Sequence, residues 1–361
     1  MAVVPDESIT TFFPEPAADD PTWAKAREGM ARWLERSTLP RARAFRQFLN
    51  QNLAALAGPA ALAIAQDMRT ADFYRAHFEM VVGRTLQVLG GDLRYEVATV
   101  TGRRPDWPAR FPSGGVVVEA TSPAVHLEEE QKRTLLGPVV QLVERLAPED
   151  WSVVVYRLPE LGPNDSRAEL RRFLEARFAL VPPAAHATRH VEIEAYLDCG
   201  GVHLELIPRR IAHTKIVMGP GVATYGDDTA ARVAGAYAAK RAQVRDVAGA
   251  RVLAVHGGNW SGCSAFDGGL FGVGEDALSE PAFVMHRVGE PVFTAVLAFP
   301  GLELTQGREP VLYRHPRATL PLPVELEELE VRTLASGRVI ARPSQLAQGV
   351  FPQLLGDLVI P

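Results

Sequence analysis

Residues 72–91, DFYRAHFEMVVGRTLQVLGG, and the segments LRYEVATV (93–100), TGRRPDW (101–107) and SGGVVVEATSP (113–123) decide the fold. In the first, Phe73, Phe78, Val81, Val82, Leu86 and Leu89 recur close to helical spacing, and Gly90-Gly91 supplies a stop. LRYEVATV alternates as a half-buried strand does, and Gly115 to Ser122 reads as another extended segment. The order is helix, strand, short strand, strand within about 50 residues.

Upstream, residues 1–20 read as a flexible, acidic, proline-bearing leader. Residues 21–70 read as two or three short helices punctuated by Pro40 and Gly58-Pro59. Downstream, a charged helix is expected over 127–146, a buried strand over 151–158, a helix over 167–179, and a hairpin across Cys199-Gly200-Gly201. A helix ending at Asp246 and a strand RVLAVH (251–256) follow. The glycine-rich stretch 257–274 reads as a connector. AFVMHRV (282–288) and VFTAVLAF (292–299) read as strands, and residues 301–361 as an extension packing on the core. The expected class is α/β, more exactly an α+β arrangement with a mixed sheet, in which 71–300 form a core carrying an insertion.

The chain has 361 residues and a net charge of −5, which argues against coating nucleic acid by bulk charge. Residues 201–250 carry an excess of Lys and Arg over Asp and Glu. No apolar run is long enough for a membrane span, and no secretory signal is evident, so a cytoplasmic protein with no membrane partner is expected. Two cysteines, Cys199 and Cys263, make neither a disulfide framework nor a four-thiolate zinc site. The nine histidines are scattered, without a zinc-binding spacing. Ser261 lies outside a nucleophile elbow, and Cys263 has no evident base. Only four lysines occur: Lys25, Lys132, Lys215 and Lys240.

Chemistry concentrates at Asp106 and Glu119. Asp106 opens a short extended stretch, and Glu119 interrupts a run of valines. Strand alternation places Glu119 and Thr121 on one face and Val118 and Ala120 on the other. A carboxylate in such a strand is costly to bury unless it is paired or binds a cation. If the two segments form a hairpin, the carboxylates approach each other, and a divalent cation relieves their repulsion. Oxygen-only ligands favour Mg²⁺ or Mn²⁺.

Glu79 on the leading helix, Pro105-Asp106 opening one strand and Glu119-Ala120-Thr121 ending the next resemble the PD-(D/E)XK nuclease superfamily, the restriction-endonuclease-like fold. The resemblance covers roughly 72–122, with a weaker echo over 228–272. It implies that Asp106 and Glu119 bind Mg²⁺ or Mn²⁺, that Glu79 assists as a third ligand, and that phosphodiester bonds, expected in DNA, are the substrate. The superfamily's lysine position holds Thr121, which can hydrogen-bond water or phosphate but carries no positive charge. Of the four lysines, Lys240 is the leading substitute, with Gln243 on the same helical face. Lys215 is a candidate phosphate contact, and Lys132 falls where it pairs with Glu128.

Plainer readings exist for each residue. Asp106 can be a turn residue, Glu119 a salt-bridged strand residue, Glu79 a partner of Arg75 or Arg84, and Lys240 with Gln243 a solvated helix face. As function, the alternative to a nuclease is a catalytically inactive binding or interaction module on the same fold; under either reading the expected partners include nucleic acid, a second copy of the chain or another protein. A third reading keeps the chemistry but turns it on RNA or a small nucleotide.

Overall fold

The computed structural model describes residues 11–20, 29–56, 58–70, 73–98, 102–122, 139, 142–143, 145–159, 167–184, 190–198, 200–208, 216–218, 229–257, 262–274, 277–284, 291–300 and 309–346. The chain divides into two units. The first comprises Met1–Thr22, Gly29–Ala124 and Asp227–Pro361; the second comprises Trp23–Glu28 and Val125–Gly226.

In the first unit, α1 (Met30–Arg36), α2 (Pro40–Leu56) and α3 (Gly58–Met68) precede α4 (Phe73–Val88). Pro40 opens α2, where its missing N–H costs nothing. Gly58 begins α3 at φ +59°, a left-handed turn that glycine takes without strain. The part of the expected leader that is described, residues 11–20, is packed rather than free. Phe12 and Phe13 are buried, the Phe13 backbone makes two bonds to the Asn50 side chain, and Glu15 meets the buried Arg46 guanidinium at 2.6 Å. Two adjacent phenylalanines gain more from burial than the acidic composition around them gains from solvation.

After α4 come β1 (Asp92–Leu93), β2 (Trp107–Phe111) and β3 (Gly114–Thr121), an antiparallel meander. The strand expected over 93–100 is shorter than its alternation suggests. Backbone bonds from Arg94 to Pro108 and from Glu96 to Asp106 continue the pairing, but Glu96 turns to φ +47° and ends it.

The second unit interrupts the chain between β3 and the next helix of the first. It holds β4 (Trp151–Arg157), α5 (Ala168–Phe178), β5 (Val191–Leu197), β6 (Gly200–Pro208) and β7 (Ile216–Met218), as a sheet of order β5-β6-β4-β7. Its own core gathers Trp151, Val153, Val155, Leu170, Leu174, Leu204 and Leu206. Most of the charged helix expected over 127–146 lies outside the described residues.

The first unit resumes with α6 (Thr229–Val244), β8 (Ala250–His256), α7 (Cys263–Phe266) and β9 (Ala295–Phe299). β10 (Val311–Arg314), β11 (Glu330–Ala335) and β12 (Arg338–Arg342) complete it. The glycine-rich stretch is more than a connector: α7 runs into a π-helical turn over Asp267–Phe271. A Cβ at Gly269 would lie 2.5 Å from the Ala230 carbonyl oxygen, so the turn approaches α6 backbone to backbone. Ala282–Val284 is a turn, not the start of a strand, and 285–290 lie outside the described residues.

The sheet runs β1-β2-β3-β8-β9-β10-β11-β12. β3, β8 and β9 are mutually parallel, and the flanking pairs are largely antiparallel, so the sheet is mixed and the class α+β. The C-terminal extension supplies its last strands. Alternation divides the faces. One face packs Leu253, Val255, Val296, Ala298 and Tyr313 under Val233 and Tyr237 of α6. The other carries Trp107 and Phe299, which pack against α4.

Candidate functional site

β2 and β3 pair with Trp107 opposite Val118, so one further step of the register sets Asp106 opposite Glu119. The Ala120 N–H donates to Asp106 Oδ2 at 2.7 Å, and the Asp106 N–H donates to the Glu119 carboxylate. This reciprocal pair locks both carboxyl groups at the end of the hairpin, close enough to share a hydrogen bond. Both residues are buried. The hairpin expected from the sequence brings these two together.

The charge opposite them comes from far along the chain. Lys240, about one turn before the end of α6, places Nζ 3.2 Å from Glu119 Oε2. Its aliphatic stem packs while its ammonium faces the carboxylates. Thr121 ends β3, half-buried, two residues beyond Glu119 and on the same face. Gln243 lies one turn beyond Lys240 and is exposed. Lys215 lies outside the described residues, as do Lys25 and Lys132.

Glu79 enters from the opposite face of the sheet, on α4. Its Oε2 accepts a 2.9 Å hydrogen bond from the Tyr95 hydroxyl, and its Oε1 is 3.6 Å from Arg75 one helical turn earlier. Of the two arginines considered for it, Arg75 is the partner; Arg84 turns instead to Gln87 and Asn52. The Trp107 indole N–H donates to the Glu79 backbone oxygen at 3.0 Å and anchors this turn of α4 to β2.

Burial drives the electrostatics. It raises the Glu79 carboxyl to about 7, helped by the negative charge of Asp106 and opposed by Arg75 and Tyr95. Glu119 is raised by burial and by Asp106, against the pull of Lys240. Burial also raises Asp106, while Lys240 and the Ala120 N–H favour its charged form. Three buried carboxyl groups thus face two cations, of which Arg75 is half exposed.

Among the described residues, no group of three His, Cys, Asp or Glu side chains is arranged to hold a metal ion. Glu79 is therefore not assembled with Asp106 and Glu119 into a three-carboxylate set. The donor set that remains is an all-oxygen pair. Such a pair suits Mg²⁺ or Mn²⁺, since these ions commonly take one or two protein carboxylates and complete their shell with water and phosphate oxygens.

Residue spacing did not point to Tyr95 and Trp107. The signal for them is positional: the backbone pairing of 94 with 108 and of 96 with 106 sets Tyr95 opposite Trp107, and their rings meet at 4.8 Å. No family model matches the chain, and searches of curated proteins and of solved structures find no match either.

Proposed function

We propose that the protein is a metal-dependent nuclease that hydrolyses phosphodiester bonds, DNA being the first substrate to test, on a restriction-endonuclease-like core. One observation carries this reading. Lys240 reaches the carboxylate pair of a β-hairpin, although 121 positions of sequence separate it from Glu119. A helix, an antiparallel meander ending in the carboxylates and, after the inserted second unit, a helix and a strand parallel to β3 also support the resemblance.

Asp106 and Glu119 would hold Mg²⁺ or Mn²⁺, with Glu79 behind them. A bound ion of this kind polarises a phosphoryl oxygen and lowers the pKa of a coordinated water. The chain's own residues do the rest. The two backbone N–H bonds fix the carboxylates without competing for their remaining lone pairs. Lys240 neutralises one carboxylate charge and presents N–H donors to a water or phosphate oxygen beside Glu119. Thr121 supplies a hydroxyl on the same face where the superfamily has its lysine. Arg232 and Arg241 on α6, with Arg245 just past its end, add positive charge along the helix that bears Lys240.

The test is cleavage of single- and double-stranded DNA and of RNA in Mg²⁺ and in Mn²⁺. Activity is expected in the wild type and lost in Asp106→Ala and Glu119→Ala. A folded wild-type protein that cuts nothing under these conditions overturns the reading.

A second reading has its own observation: the strand position two after Glu119 is Thr121, and no three-residue metal group is present among the described residues. On that reading the same core is a catalytically inactive binding module, with Lys240 and Glu119 a structural ion pair. It predicts no Mn²⁺ binding by calorimetry.

A further inference from the structure

We infer that Tyr95 is a positioning residue for this site: its hydroxyl holds the Glu79 carboxylate on the α4 side of the strand end that bears Asp106, so that Glu79 strengthens cation binding at Asp106 and Glu119 from outside the ligand set. The inference rests on the metal-dependent reading above and assigns Glu79 a place that reading leaves open.

Glu79 has two holds of different quality. Arg75 is half exposed, lies 3.6 Å away and is shared with Asp67 at 3.4 Å. A pair held at that distance by a half-exposed guanidinium fixes its partner weakly. Tyr95 makes a 2.9 Å bond to a carboxylate whose side chain is only 3% exposed. Hydrogen bonds to buried charged groups are short, directional and costly to lose. The tyrosine is itself fixed: its ring packs 4.8 Å from that of Trp107, which is fully buried and bonded to the Glu79 backbone.

The next residue completes the arrangement. Glu96 adopts φ +47°, unusual for a residue with a side chain, and its N–H donates to the Asp106 carbonyl at 3.1 Å. One short segment therefore bonds Glu79 through a side chain and Asp106 through the backbone. Tyr95 and Glu96 thus tie Glu79 and the backbone of Asp106 to the same short segment.

A carboxylate bonded at one oxygen and held near a cation site adds Coulombic attraction for the ion without entering its shell. Outer-shell groups that orient a site in this way typically change metal affinity by roughly 10–100-fold. Tyr95→Phe removes the hydroxyl and keeps the ring on Trp107. Glu79→Gln keeps an acceptor for Tyr95 and removes the charge.

The experiment is Mn²⁺ titration calorimetry on the full-length protein, comparing the wild type, Tyr95→Phe, Glu79→Gln and the double variant, with Glu119→Gln as the ligand control. Tyr95→Phe is expected to weaken Mn²⁺ binding about tenfold in the wild-type background and less than about twofold when Glu79→Gln is present. A purely structural tyrosine would lower the thermal midpoint without this dependence on Glu79. Equal losses in both backgrounds, or no loss in Tyr95→Phe, overturn the inference while leaving the metal site standing. A wild type that binds no Mn²⁺ overturns the metal-dependent reading and this inference with it. Should Tyr95→Phe not fold, Glu79→Gln alone decides: a loss of about tenfold supports the outer-shell role, and unchanged affinity contradicts it.

Discussion

Lys240 is one of only four lysines against 34 arginines in the chain, and it reaches the Asp106 and Glu119 carboxylate pair that the β2-β3 hairpin brings together. An arginine there would keep its proton under all conditions and could not serve a water in the same way. The carboxyl groups around it are more readily protonated in the folded chain than in the unfolded one. For Glu79 the value rises from 4.5 to about 7, and Asp106 and Glu119 move in the same direction. A raised carboxyl value means that the folded state binds more protons, so the stability it contributes is complete below about 4.5 and is lost as pH rises through about 7. The metal-free protein is therefore expected to melt lower at pH 8 than at pH 5.5, and millimolar Mn²⁺ should restore the midpoint at pH 8 but not at pH 5.5. Differential scanning calorimetry at the two pH values checks this. A midpoint that is level with pH would contradict the burial of these three carboxyl groups, and one indifferent to Mn²⁺ would contradict the proposed metal site.

At the scale of elements, close packing between α4 and β2 sets where Glu79 stands. A Cβ at Gly83 would lie 2.5 Å from the buried Trp107 ring, so α4 approaches the sheet more closely there than any side chain allows. Gly83→Ala is expected to destabilise by about 1–3 kcal/mol through overpacking, although alanine is the better helix former. Gly235→Ala, on the exposed face of α6, meets nothing within 4 Å and should stabilise by about 0.5–1 kcal/mol. Urea unfolding of both variants separates the two effects; equal shifts would mean that Trp107 does not press on α4.

The same elements show what the sequence discloses. α4, β3, α6 and β8 announce themselves because long apolar periods and glycine or proline stops agree. Asp106 and Glu119 follow from them once a hairpin is assumed. LRYEVATV has the alternation of a strand, yet Glu96 leaves extended geometry after a short ladder, a backbone choice that no side-chain pattern records. Tyr95 was hidden for the same reason. The π-helical turn in the glycine-rich stretch depends on contact with α6 at Ala230, a tertiary fact invisible in local composition.

At the scale of the whole molecule, the chain leaves the sheet after β3 and returns to it through α6, so the strand bearing Glu119 and the helix bearing Lys240 flank the inserted unit in sequence. Composition does not mark these borders, because Val125–Gly226 is an ordinary mixture of strands and helices with its own apolar core. That core predicts independence. A fragment of residues 125–226 is expected to unfold cooperatively and to give dispersed amide resonances. A non-cooperative, collapsed fragment would show that the unit depends on the rest of the chain.

The central claim is that Lys240 acts with Asp106 and Glu119 on a phosphodiester rather than merely balancing their charge. The most direct measurement is the rate of Mg²⁺-dependent cleavage of labelled DNA by wild-type and Lys240→Met protein, with circular dichroism confirming that the variant is folded. Metal-dependent cleavage in the wild type and a loss of at least about 100-fold in the variant are expected, the scale of a positioned proton-transfer or charge-stabilising group. Cleavage that survives Lys240→Met undiminished would contradict it.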